Sequence, residues 1–371
     1  MHPMLAEPLN KLEWREYMAA TPPLPPPMPS FEEYLQMTPL QKRRFNRARD
    51  AHHSAGELVE TPVVEQLHHE LDRRLKLNRY QVAGARRGKV IDGPPTIGKS
   101  TLIKWFAANF ERELREDEPE KFVIDEGQEY SCDYVPVVYI SIGAQFTPKD
   151  LSMAIADFLM LPYRATATKT QLTNLVLKAM RLVKTELVIF DDVHFLDLSA
   201  KEGQVVNDHL KDLANKTAAT FVYTGHDLQL SGLFLEGGAA TRATQTAGRN
   251  DLCHLGAFKI DAPEQIQQWR TIIAAMENSL LLFKHAPGSL TRRHWSYLHD
   301  RAGGSIASLS HLIRESAIQA VADGSEALTV KLMETIVIDQ RGQEHYNRTK
   351  RKKQTRRRST GTNPTSEPEA S

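Results

Sequence analysis

The sequence predicts an α/β protein: a doubly wound parallel sheet around a phosphate-binding loop, followed by a small α-helical domain. Three observations predict it. Gly93-Pro94-Pro95-Thr96-Ile97-Gly98-Lys99-Ser100 is a complete G-x-x-x-x-G-K-[ST] loop, reached from the short apolar run Val90-Ile91 and left through a helical pattern at Thr101-Leu102-Ile103-Lys104-Trp105-Phe106. That strand–loop–helix setting is what turns the motif into a site. Strand signals at 90–91, 137–140, 187–190, 220–223 and 258–260 alternate with helical patterns at 101–115, 149–160, 169–184 and 204–217. Beyond Ile260 the pattern is helical only, with segments at 263–283, 291–300, 305–322 and 328–337.

Residues 1–60 read as an N-terminal arm, Pro-rich, basic and partly disordered. Pro22-Pro23-Leu24-Pro25-Pro26-Pro27-Met28-Pro29 favours extended polyproline conformation. A short helix is expected at 31–37. The basic stretch 41–50 (Lys42, Arg43, Arg44, Arg47, Arg49) reads as a solvated helix, with a nucleic-acid contact as the alternative. The core is expected over 61–262. It begins with a helix at 63–80, in which Leu67, Leu71 and Leu75 recur every fourth residue and mark a buried face. A short strand or hairpin is expected near Phe122-Val123-Ile124. The helical domain is expected over 263–340, punctuated by Ala286-Pro287-Gly288 and Ala322-Asp323-Gly324. Its helix at 305–322 places Ile306, Leu309, Ile313, Ala317 and Ala320 on one face, and Gly303-Gly304 before it is expected to be flexible.

The loop residues define the chemistry. Glycines let backbone N–H groups curl around an anionic phosphate, and the helix starting near Lys99 adds its positive end. Gly93 to Thr101 are therefore the expected nucleotide contacts. Lys99 is expected at the β- and γ-phosphates and Ser100 on Mg²⁺, with Thr101 beside it. The run Leu187-Val188-Ile189-Phe190 suits a strand buried on both faces, and it ends in Asp191-Asp192. A carboxylate there can hold Mg²⁺ through its water shell, the role expected of Asp191. Asp192 is then placed to orient the attacking water. An α/β nucleotide core with a small helical lid resembles the arrangement of AAA+ ATPases. On that reading Thr224, or second to it His226, ends the next strand as a sensor of the γ-phosphate. An arginine from a neighbouring subunit completes the site; Arg249 fits best and Arg242 is the alternative. The lid holds no convincing sensor arginine, and Arg314 is only a weak substitute.

Composition narrows the class. The chain has 371 residues, of which 41% are hydrophobic and 25% charged, and no run of 18 apolar residues. A two-domain protein without a membrane span or signal peptide is expected. Cys132 and Cys253 show no metal-ligand spacing, which fits a reducing cytoplasm. The net charge of +1 hides an asymmetry, for residues 341–371 hold nine Lys/Arg against three Asp/Glu. Such a block reads as a disordered interaction tail that meets nucleic acid or an acidic partner face.

Asp92 to Ser100, Val135-Pro136-Val137-Val138-Tyr139, Leu187 to His194, Thr246-Ala247-Gly248-Arg249 and the lid stretch Arg301 to Ile313 together resemble transposon-encoded AAA+ ATPases of the TniB/TnsC type, over about residues 60 to 340. The resemblance implies an ATP- and Mg²⁺-dependent bacterial regulator of DNA transposition. It implies a homo-oligomer, ring or filament, on double-stranded DNA, recruiting a transposase, with a targeting factor as a further partner. One position departs from the family, which usually has Glu where Asp192 stands. Asp is one methylene shorter, so slow hydrolysis, a timing switch, is expected. Lys149 and the group Lys178, Arg181 and Lys184 are candidates for phosphate-backbone contact. Two other classes share the nucleotide motifs: a signalling or stress NTPase acting on a protein partner, and a helicase- or clamp-loader relative. A small-molecule kinase fits least, because no substrate lid is evident.

Overall fold

The computed structural model describes residues 7–56, 59–81, 86–117, 121–125, 128–143, 146–196, 201–228 and 250–338, with 343 and 346. Along the chain run α1 (Lys11–Ala19), α2 (Phe31–Gln36), α3 (Pro39–Ala55), α4 (Pro62–Arg79), β1 (Gly88–Asp92), α5 (Lys99–Asp117), β2 (Lys121–Asp125), β3 (Gln128–Cys132), β4 (Val137–Ser141), α6 (Pro148–Phe158), α7 (Lys169–Leu182), β5 (Leu187–Asp191), α8 (Lys201–Lys216), β6 (Thr220–Gly225) and β7 (Asn250–His254). The helices α9 (Pro263–Asn278), α10 (Trp295–Ala302), α11 (Ile306–Ala322) and α12 (Val330–Thr335) follow. Contacts divide the chain into two units: Met1–Thr21 with Pro62–Gly256, and Pro22–Thr61 with Ala257–Ser371.

The first unit is built on a five-stranded sheet of order β4-β5-β6-β1-β7. Every pairing in it is parallel. The strands β1, β5 and β6 are buried throughout, as apolar runs covered on both faces must be. Strand β6 lies between β1 and β5, so the loop strand and the acid-bearing strand are not neighbours. Helix starts are chemically marked. Thr147 with Asp150 and Thr168 with Gln171 form capping boxes at α6 and α7, and Pro148 opens α6. The α4 leucines Leu67, Leu71 and Leu75 are buried in the core with Leu102, Ile103 and Phe106 of α5. The hairpin near Phe122 is present as the antiparallel pair β2–β3.

Two boundaries differ from the sequence expectation. The last strand of the sheet is β7, Asn250–His254, not the apolar run at 258–260. It is an edge strand on β1 and carries Asn250, Asp251 and His254, so no apolar run announces it. Phe258 and Ile260 pack instead against the helical core of the second unit. The described residues between 7 and 60 pack into the two units rather than standing apart as an arm. Helix α1 buries Trp14 and Met18 in the core of the first unit, where the Trp14 indole N–H donates to Glu111 Oε2 at 2.8 Å. Residues 22–61 belong to the second unit. The tail at 341–371 lies outside the described residues except at 343 and 346.

Among its described residues the second unit holds helices and no strand. Trp269, Ile272, Ile273 and Met276 of α9 meet Leu309, Leu312, Ile313, Ala317 and Ala320 of α11 in its core. Arg49 of α3 is fully buried and forms a two-pronged pair with Glu326, at 2.8 and 3.0 Å. It is therefore not part of a solvated basic face. Gly303, which caps the end of α10, and Gly304 form a tight turn before α11. Both have positive φ, and a Cβ on Gly304 would overlap the Phe258 carbonyl oxygen. Among the described residues no helix is long and apolar enough to cross a membrane.

Candidate nucleotide site

The phosphate loop leaves the C-terminal end of β1 and runs into α5. Gly93 donates its N–H to the Gly225 carbonyl at 3.3 Å, and a Cβ there would overlap the Leu255 carbonyl oxygen. Only glycine fits where three strand ends converge. Thr96 and Gly98 take positive φ, 61° and 97°, which turns successive N–H groups toward one side. Pro94 and Pro95 have no N–H to offer. The amides available to an anion are therefore those from Thr96 onward, while the Pro94 carbonyl faces Lys99. The first turn of α5 carries no acidic side chain, which leaves its positive end open to an anion. Lys99 Nζ donates to the carbonyls of Gly93 and Pro94, at 2.8 Å each. Ser100 is half-buried and Thr101 exposed in the same turn.

Asp191 ends β5 and is 1% exposed. Its Oδ1 accepts the Thr224 hydroxyl and the Asp192 N–H, the latter at 3.0 Å, and its Oδ2 accepts the Tyr139 phenol at 2.6 Å. A carboxylate has about four acceptor sites, and three are filled. The site left on Oδ2 suits a bond to one water of a hydrated cation. With the Ser100 hydroxyl this makes an all-oxygen donor set, so the residues fit Mg²⁺. Thr224, at the end of β6, is fully buried and turned to Asp191, so it braces the acid from the intervening strand.

Asp192 adopts left-handed backbone, φ 59°, which re-aims its half-exposed carboxylate away from the strand. Burial, and then the neighbouring Asp191 charge, raise its carboxyl above the ordinary value. His194 packs against His226 with ring centroids 3.8 Å apart and planes tilted by 54°, and its Nδ1 lies 3.8 Å from Asp192 Oδ1. Burial holds the His194 imidazole down at about 4, so it is neutral at neutral pH.

Lys99, Ser100, Thr224, Asp191 and Asp192 thus sit on the C-terminal ends of β1, β6 and β5 or on the turns that follow them. Arg249 and Arg242 lie outside the described residues. Arg314 belongs to the second unit, where its Nε donates to the His53 carbonyl at 3.2 Å. Two supporting residues have roles that the sequence does not assign. Asp92 accepts the Leu228 N–H at 3.1 Å and holds His254 at 3.3 Å, tying the ends of β6 and β7 beneath the loop. Tyr139 looks like any aromatic in a core strand. Arg181 and Lys184 line a cleft of about 660 Å³ with Arg79, Arg86 and Lys216. The cleft also includes Glu186 and Thr220, at the N-terminal ends of β5 and β6, so it lies at the opposite end of those strands.

A family model described as bacterial TniB protein matches residues 49–244. The chain belongs to the TniB family. Comparison with curated proteins finds no match. Among solved structures this TniB-family chain is similar to the Aeropyrum pernix ORC2 protein in its ADPNP-ADP complexes, with a TM-score of 0.53 and 15% identity over 75% of this chain and 69% of that one. The Aeropyrum pernix ORC1 protein in complex with DNA gives a TM-score of 0.51 and 12% identity over 75% of this chain and 65% of that one. Cdc6p from Pyrobaculum aerophilum gives 0.50 and 15%, over 72% and 64%. The TniB-family chain spans somewhat less than two thirds of the last two. At such identities the likeness establishes the fold alone, that of AAA+ P-loop ATPases.

Proposed function

We propose that the chain is an ATP-dependent regulator of DNA transposition. It binds ATP with Mg²⁺ at the loop, assembles as an oligomer on double-stranded DNA, recruits a transposase, and hydrolyses ATP slowly. The observation that carries this is a TniB-family chain whose loop lysine, loop serine and braced Asp191 follow or end strands at the same C-terminal edge of one parallel sheet. Mg²⁺, when bound, neutralises charge on the phosphates. The chain's own groups do the rest. The loop amides and Lys99 hold the phosphate oxygens, Ser100 and Asp191 hold the cation's shell, and Asp192 aligns a water. Asp192 has a short reach, which favours slow turnover over motor-like cycling. The trans arginine, Arg249 or Arg242, would come from a neighbouring copy.

DNA binding is supported by family membership and by the ORC1 relative solved in complex with DNA. Basic side chains such as Arg181, Lys184 and Lys149 would meet backbone phosphates without reading bases. Six to ten such contacts would cost about 10³- to 10⁵-fold in affinity between roughly 50 and 200 mM salt. The deciding experiment is fluorescence anisotropy of a labelled random-sequence duplex, with and without a slowly hydrolysed ATP analogue. Cooperative, salt-sensitive binding that requires nucleotide is expected. ATP binding with no DNA binding in either state would replace this reading with a switch that acts on a protein partner.

A further inference from the structure

The segment carrying Glu7 and α1 reaches the cation-holding acid. Tyr139 is 1% exposed, and its phenol oxygen lies 2.6 Å from Asp191 Oδ2 and 2.9 Å from Glu7 Oε1. Glu7 is fixed in turn by Lys104 Nζ of α5, 3.0 Å from both its oxygens. Lys104 also stands over the Tyr139 ring at 5.4 Å. On the ring's own level the buried Trp14 of α1 is stacked at 5.9 Å with planes 12° apart. Trp14 is anchored by its indole bond to Glu111.

We propose that Tyr139 and Glu7 are positioning residues for Asp191, and that the segment from Glu7 through α1 is a built part of the nucleotide site. The proposal rests on the nucleotide reading above. A phenol has one proton to donate. Two carboxylates face the Tyr139 oxygen, and the shorter contact goes to Asp191. Lys104 neutralises Glu7, which lets Glu7 lie against the phenol without drawing the proton away. The bond to Asp191 fixes the rotation of its carboxylate, and so the direction of the acceptor site left for the cation's water. Trp14, stacked on the ring, keeps the phenol from turning, and the Glu7–Lys104 pair closes the space beside it. A carboxylate near a metal is commonly oriented by such outer partners, whose loss costs about 10- to 100-fold in metal affinity.

The experiment is a Mg²⁺ titration at fixed fluorescent ATP analogue in wild type, Tyr139→Phe and Glu7→Ala, with amide hydrogen exchange of residues 11–19 measured alongside. Tyr139→Phe keeps the ring stacked on Trp14 and removes only the hydroxyl. It is expected to need about 10-fold more Mg²⁺, to bind the analogue normally in EDTA, and to melt with the wild type. Glu7→Ala, a change at a partly exposed side chain, is expected to shift the midpoint in the same direction and to speed exchange in α1. If wild type binds the analogue while both variants keep its Mg²⁺ midpoint, the proposal is overturned and the nucleotide reading stands. If wild type binds no nucleotide, the nucleotide reading fails and takes this proposal with it.

Discussion

Asp192 occupies a left-handed backbone position, which Asp and Asn tolerate better than longer side chains. This gives a physical reason for an Asp at this position, and it makes Asp192→Asn a test of charge rather than of fold. The variant is expected to bind ATP and melt as wild type does, yet lose steady-state hydrolysis by about 10²-fold; an unchanged phosphate-release rate would remove Asp192 from the mechanism. A second residue-scale expectation concerns His209 of α8. Its Nε2 lies 2.9 Å from Ser152 Oγ, it is 2% exposed, and burial holds its imidazole down at about 4. The unfolded chain then takes up a proton near pH 6.5 that the folded chain refuses until about pH 4. Stability from this group is fully present above pH 6.5 and is lost as pH falls toward 4, by at most on the order of 3 kcal/mol. Urea unfolding at several pH values should show a shallower acid slope in His209→Gln than in wild type. Equal slopes would exclude His209 as the source.

Among elements, the contrast between α3 and α4 explains what the sequence could and could not reveal. The α4 leucines are legible because an apolar residue every fourth position has one physical meaning, a face turned to a core. Arg49 of α3 offers the opposite case. A basic helix ordinarily reads as solvated, and it is Glu326, far along the chain, with the Leu281 carbonyl, Asn46 and the rings of Tyr34, Phe45 and Phe283, that compensates burial of the guanidinium. Removing one partner of such a buried pair leaves an uncompensated charge, so Glu326→Ala is expected to cost about 3–5 kcal/mol. Chemical denaturation would check it, and a loss below about 1 kcal/mol would show the pair to be screened by water. The same logic runs through the sheet. Strands β4, β5 and β6 are continuous apolar runs and announce themselves, whereas β7 is an edge strand with polar residues and does not. Within the site, the loop and Asp191 are legible from spacing and strand ends. Tyr139, Asp92 and Trp14 are not, since each acts through a contact across the fold that no local pattern encodes.

At the scale of the whole molecule, the two units are interleaved along the sequence. Residues 1–61 supply α1 to the first unit and α2 and α3 to the second. Deleting them should therefore weaken both, by exposing the Trp14 pocket in one and leaving Glu326 without Arg49 in the other. Thermal melting followed by circular dichroism, with dye binding to exposed apolar surface, is expected to show a lower midpoint and stronger dye uptake. A truncated chain that melts like the full one would mean that neither contact matters. The interleaving also sets a clock. Arg49 and Glu326 are 277 positions apart. At roughly 5–20 residues per second of synthesis, α3 leaves the ribosome about 15 to 55 s before its partner exists. For that interval its buried face has no native cover, while much of the α/β unit is already able to form. The native cover of α3 is therefore completed only once the C-terminal helices have been made.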